Sequence, residues 1–361
     1  MSLYRVLIVL AITLVVCTSF AEAAEVRITS DPADQTSPAI WEDRIVWTDA
    51  RSKNLDIYLY DTVAGTETRI TKGPKDRKTP AIWEDLIAAV DMSQGSPDIY
   101  LYNLVTGSGR MVTTMATNQK FPRVSENLVA WETSRNGDND IVVYDALTGR
   151  EVKLPPSSMS RRSPAIWKDR MVWADTEGGT STIHFYNLTT RVETRLTQSI
   201  SSQFNPWIYE NLVVWQDNRN GNDDIYLFDM LTGTETRVTS DPAAQRSPRV
   251  WGDRVVWEDY RNGNSDVYMY TISTGKETPV VSDPAVQRSP ALWGNRVVWE
   301  DYRNGNADIY LYEGSTPVAA ATTGAGGEGV QPARTPIPLS GILPLSAAAL
   351  AVLFLGRRAA R

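Results

Sequence analysis

Apolar residues return along this chain with a period of 42. Each short apolar run is announced by a proline, at Pro38, Pro80, Pro122, Pro164, Pro206, Pro248 and Pro290. Identical intervals of this length are the mark of a propeller or a solenoid. Within one unit the pattern resolves into four short strands, at 39–41, 44–48, 56–60 and 66–71 in the first. The second and third strands are apolar on both faces and must be covered on both sides. The fourth, as in 234–239, is mostly polar and belongs on an outer edge. Asn-Gly pairs starting at Asn136, Asn220, Asn262 and Asn304 predict hairpins between the second and third strands. The pattern therefore predicts an all-β fold, a seven-bladed β-propeller of four-stranded blades over residues 25–313. Its closure is also written in the chain. Residues 26–29 copy the fourth strand, whereas the seventh unit stops after its third strand at Tyr312, so the N-terminal strand should complete the last blade.

Composition adds the nature of the core. The chain has 12 Trp and 15 Tyr but only 6 Phe, large rings that favour strands. Eleven of the tryptophans fall in two columns: Trp41, Trp83, Trp167, Trp251 and Trp293 three places after the proline, and Trp47, Trp131, Trp173, Trp215, Trp257 and Trp299 nine places after it. Only Trp207 is out of register. A net charge of −7 argues against nucleic-acid binding, which requires a concentrated basic surface that the sequence does not show. The single cysteine, Cys17, lies in an apolar run that follows Arg5 and precedes Ala21-Glu22-Ala23, so residues 1–23 read as a signal peptide. The mature protein then has neither a disulfide nor a thiol nucleophile. Residues 314–336 are rich in Gly, Ala, Thr and Pro and read as a flexible stalk. Residues 337–356 carry no charge over 20 positions, the length of a transmembrane helix, and residues 357–361 form a basic cytoplasmic tail. The expectation is an exported protein at the cell surface, anchored in the cytoplasmic membrane with the propeller outside.

Units of the form S-P-A-I-W-x-D-R-V-V-W-x-D, followed by D-I-Y-L-Y-D and T-G-x-E-T-R-V-T, resemble the TolB-like propeller repeats of exported proteins, including cell-surface proteins of methanogenic archaea. The resemblance covers residues 26–313 and implies a fold, not an activity. Bacterial TolB joins an N-terminal α/β domain to a six-bladed propeller, whereas this chain has seven units and no such domain, so the resemblance does not extend to the Tol–Pal assembly. The order of stalk, Pro-rich apolar segment and Arg cluster is also similar to the sorting tails cut by exosortase-type or archaeosortase-type transpeptidases. Its Thr335-Pro336-Ile337-Pro338 departs from their better-known tripeptides.

Candidate chemistry lies in the loops that enter the first strand and join the second to the third. Three places before the proline stand Gln35, Gln119, Gln203, Gln245 and Gln287, with Arg77 and Arg161 in the other two units; two places before it stand Lys78, Lys120, Arg162, Arg246 and Arg288. If they ring the channel mouth, they suit a carboxylate, an acidic sugar or an acidic loop of a partner protein. The competing reading has them paired internally with aspartates. Those aspartates form two columns, including Asp217 with Asp224, Asp259 with Asp266, and Asp301 with Asp308. A hard cation such as Ca²⁺ suits paired carboxylates, but Arg51, Arg219, Arg261 and Arg303 lie in the same loops and would brace the hairpins instead. No other cofactor is implied. His184, the one histidine, stands in a column of tyrosines and reads as a strand residue. The chain has no second histidine, no G-x-S-x-G and no phosphate-binding glycine loop. The function expected is non-catalytic recognition of a protein or a cell-envelope polysaccharide through the loop face. The alternative is an extracellular carbohydrate-active enzyme, hydrolase or lyase, using the same face. The departures from the repeat, Arg123, Trp207, Arg249 and the loop 176–182, read as scattered among the units, which favours binding.

Overall fold

In the computed structural model the described residues are 24–135, 138–198 and 201–314, and they form seven antiparallel four-stranded sheets. Strands β2 to β28 run in simple up-and-down order, four to a blade, from β2 (Gln35–Trp41), β3 (Arg44–Asp49), β4 (Asp56–Asp61) and β5 (Thr66–Arg69) to β26 (Gln287–Trp293), β27 (Arg296–Asp301) and β28 (Asp308–Glu313). The seventh blade takes its outer strand from β1 (Ala24–Arg27), which pairs with β28. Closure by the N-terminal strand is thus as expected. Ion pairing of Arg27 with Asp308 at 2.8 Å and a bond from the Ile309 amide to Thr29 Oγ1 at 2.8 Å fasten it.

The middle strands carry the core. Trp47, Trp131, Trp173, Trp215, Trp257 and Trp299 are at most 1% exposed, packed between adjacent sheets. Burial of a ring this size contributes about 4–6 kcal/mol of transfer energy, an upper bound for a chain already partly collapsed before folding. Each indole N–H also needs an acceptor. In five blades it donates to the aspartate two residues on, as from Trp257 to Asp259 at 2.8 Å. Trp131 has Thr133 two residues on in place of the aspartate and donates to Gln119 at 2.7 Å.

The first strand differs from its expected form. It begins four residues earlier, because a bulge keeps the segment before the proline in register: Thr36 pairs with Thr48, then Ala39 with Val46. Proline lacks an amide donor, and the bulge is where a strand can accept that. In the Asn-Gly turns only the glycine takes positive φ, 90–97° in the described three. Among the described residues no helix is long and apolar enough to cross a membrane. The signal peptide, residues 315–336 of the stalk, the segment 337–356, the basic tail and Asn136-Gly137 lie outside the described residues.

Candidate functional site

The seven first strands surround the axis, and the bulge decides what faces it. Ser37, Thr79, Phe121, Ser163, Asn205, Ser247 and Ser289, each just before the proline, all have φ of 50–56°. A non-glycine residue there is strained, and in seven copies the strain is a device of the fold. Four of the bulge amides are held by a side chain of the preceding blade: Thr79 by Thr48 at 2.9 Å, Ser163 by Glu132 at 3.1 Å, Ser289 by Glu258 at 2.8 Å and Ser37 by Glu300 at 2.7 Å. These seven side chains, six of them polar and the seventh Phe121, line the upper wall of a channel cavity of about 360 Å³.

At its other end the channel is sealed. Trp41, Trp83, Trp167, Tyr209, Trp251 and Trp293 make an unbroken circuit of ring contacts, with centroids 3.8, 5.0, 4.6, 4.4, 3.6 and 3.6 Å apart in turn. The third blade contributes Ser125 to this column, and Trp83 meets Trp167 across it. The cavity is therefore blind, open at the loop face and floored by aromatic rings.

One column makes the cavity asymmetric. The place after the anchor proline is alanine in four blades, Ala39, Ala81, Ala165 and Ala291, and Arg123, Trp207 and Arg249 in the others. The structure brings these three together. The Arg123 and Arg249 guanidiniums lie 5.1 and 4.3 Å from the centre of the Trp207 ring. Each donates to the carbonyl of its own preceding proline, at 3.1 and 2.8 Å, and among the described residues neither has a carboxylate within 4 Å. The channel lumen touches both side chains, so they are half-buried by accessibility, yet protein surrounds them deep in the ring. Burial pushes Arg123 down to about 9, with the charge of Arg249 adding to the effect, and pushes Arg249 down to about 10 against the opposing pull of Glu258. Buried Arg123 Nε has no acceptor. Two desolvated cations share one ring here with no carboxylate within 4 Å among the described residues, an arrangement whose charge an anion would balance. The reading of these departures as scattered is thus corrected: they are apart in sequence and adjacent in space. The signal that could have found them is the proline-plus-one column, where only these three positions depart from alanine.

The glutamines stand elsewhere than the channel mouth. Gln35, Gln119, Gln203, Gln245 and Gln287 are 0% exposed beneath the loops, where four of the amides donate to the chain, as Gln245 does to the Ala243 carbonyl at 2.7 Å and Gln203 to Asp217 at 2.8 Å, and the Gln287 amide has no partner among the described residues. Each side chain follows the strand pleat to the opposite face from the lumen, a turn that the unforeseen bulge makes. The cation column does reach solvent. Arg246 pairs with Asp223 at 2.8 Å and Arg288 with Glu300 at 3.2 Å. Lys78, Lys120 and Arg162, on successive blades, have no carboxylate within 4 Å among the described residues.

The paired aspartates are met by donors. Arg219, Arg261 and Arg303 each grip Asp217, Asp259 and Asp301 at 2.6 Å. Asp224 receives Arg237 at 2.8 Å and Asn220 at 2.9 Å, Asp266 receives Asn262 at 2.7 Å, and Asp308 receives Arg27 at 2.8 Å and Asn304 at 3.0 Å. A Ca²⁺ ion would have to displace a guanidinium or an amide from each, which makes hairpin bracing the role these residues show. His184 is 8% exposed and shares its Nδ1 with Glu193 at 2.9 Å, near Asp175 and the buried Arg161.

Fold and site together define a closed seven-bladed propeller with a blind, cationic and aromatic pocket on its axis. No family model and no curated protein matches the sequence. Among solved structures, an oligogalacturonate lyase in complex with manganese is similar, with a TM-score of 0.65 at 12% identity over 82% of this chain and 94% of that one. The β-propeller domain of the trilobed protease from Pyrococcus furiosus matches with 0.62 at 11% over 78% and 93%. A puromycin-hydrolyzing peptidase of Mycobacterium tuberculosis matches with 0.62 at 13%, and there this chain spans 53% of the neighbour. At these identities the likeness establishes the fold alone.

Proposed function

We propose that this protein is an exported, surface-held recognition propeller of the TolB-like kind, which binds an anionic ligand in its channel without transforming it. The observation that carries this reading is the pair Arg123 and Arg249 over Trp207, two desolvated guanidiniums lining the cavity with no carboxylate within 4 Å of either among the described residues. Unpaired buried charge is costly, and a fold keeps it where a ligand supplies the partner. The cavity lining offers guanidinium, indole, hydroxyl and amide groups, a set suited to holding an anion. The ligand belongs to a partner protein or a cell-envelope polysaccharide.

Calorimetric titration of the full-length protein with citrate, phosphate, acetate and D-glucuronate, with D-glucose as neutral control, tests this. At least one anion should bind, weaken with added salt, and lose at least tenfold in affinity in Arg249→Leu. If no anion binds, or the variant binds as well as the native protein, the reading fails.

The alternative, a carbohydrate-active enzyme at the same face, draws on Glu258. Its carboxyl is pushed up by burial, against the opposing effect of the Ser289 amide and Arg249, and a raised carboxyl is the state of a general acid. Product formation from an acidic oligosaccharide, abolished in Glu258→Gln, would favour it.

A further inference from the structure

We infer that the channel takes the end of an acidic glycan, a terminal sugar ring bearing a carboxylate, and excludes residues from the interior of the chain. This rests on the anion-binding reading above and adds to it both the ligand class and the direction of entry. The first ground is geometric. Because the ring circuit from Trp41 round to Trp293 fills the axis, nothing threads the propeller, and whatever enters at the loop face must stop at the floor. A volume of about 360 Å³ stands at the small end of ligand pockets and holds no more than about two sugar rings.

The second ground is chemical. A carboxylate answers Arg123 and Arg249. The indole of Trp207 and the aromatic floor offer flat apolar surfaces to the C–H faces of a sugar, and Ser37, Thr79, Ser163, Asn205, Ser247 and Ser289 offer it hydroxyl and amide partners. The carboxyl end of a peptide is the competing anion, and it is captured by a nest of free backbone N–H groups. Here the amides of Ser37, Thr79, Ser163 and Ser289 are already given to Glu300, Thr48, Glu132 and Glu258. With four of the seven bulge amides already occupied, most of the recognising groups in the cavity are side-chain hydroxyls, amide and guanidiniums, which suits a polyhydroxylated ligand. The third ground is the path beyond the mouth. Lys78, Lys120 and Arg162 have no carboxylate within 4 Å among the described residues, so the following acidic units of the glycan can leave over blades two to four.

The test is calorimetry of the full-length protein with D-glucuronate and with oligouronates of increasing length. End capture predicts one protein per chain at every length, with affinity that rises over the first about three units and is then flat. D-glucose should not bind. A stoichiometry that grows with chain length overturns end capture while leaving anion binding intact. So does tight, Arg249-dependent binding of citrate or phosphate with none of any uronate. Absence of all anion binding removes the underlying reading as well. Two variants divide the contributions at positions outside the fully buried core: Ala39→Phe, which fills the lumen, should lose D-glucuronate at least tenfold, and Lys120→Gln should weaken only the longer oligomers. Equal loss of the monomer and the long oligomers in Lys120→Gln would refute the exit path.

Discussion

Arg249 shows how a single residue can oppose the fold and serve the site. Its charge is desolvated, close to that of Arg123, and paired with no carboxylate among the described residues. Arg249→Leu removes that charge and keeps the bulk over Trp207, so it should stabilise the protein by about 1–3 kcal/mol in urea denaturation even as it weakens anion binding at least tenfold. Loss of stability together with loss of binding would mean that Arg249 is a structural strut. Two aspartates in the same column of different blades make a second contrast. At Asp217 burial alone would raise the carboxyl, but hydrogen bonds from Arg219, Gln203 and Trp215 outweigh it and hold the group below its ordinary 3.8. At Asp175 burial wins and the carboxyl is raised, because Arg161 stops 4.0 Å away. The depressed Asp217 stabilises the fold above pH 3.8 and loses that contribution as pH falls through its folded value. The raised Asp175 has the opposite sign: it costs stability at neutral pH, and the cost is relieved as pH falls through its shifted value toward 3.8. Asp217→Asn should therefore destabilise more at pH 7 than at pH 3, whereas Asp175→Asn should be nearly neutral at pH 7. Urea midpoints at the two pH values check both.

At the scale of elements, the blade was almost wholly legible. The alternation, the Asn-Gly turns and the split fourth strand of the last blade are local patterns, and local patterns survive in one dimension. The bulge at Ser37-Pro38 was not, since proline reads as a strand start and nothing in the residue types announces seven strained φ angles. That one feature reversed the facing of the glutamine column. The clasp between β1 and β28 allows a direct test. Deleting residues 24–29 removes four register pairs, the Arg27–Asp308 ion pair and the Thr29 contact, and leaves β28 an unpaired edge. The truncated protein should melt well below the intact one and associate edge to edge, seen by sedimentation. An unchanged monomer with unchanged melting would show that the ring stands without its clasp.

Across the whole molecule the decisive relations are between blades, and these were the least legible. Trp41 and its column were visible as architecture, but that six rings would close into one floor depends on a radius no sequence states. Likewise Arg123, Trp207 and Arg249 meet only because the ring folds their columns onto one axis. Trp167→Ala should cost about 3–5 kcal/mol and open the floor beside Ser125, so that oligouronates lose their fixed stoichiometry of one. The same registers orient the molecule. Gln287 pairs with Asp301 and Asp301 with Asp308 at the open mouth, while Ala24 lies opposite Glu313, and Gly314 bonds to Asn295 in the tight turn at the sealed end. The folded chain is thus entered and left through its closed face, like a cup fixed by its base. Any surface that holds the protein by either end stands behind the cup, and the pocket looks away from it.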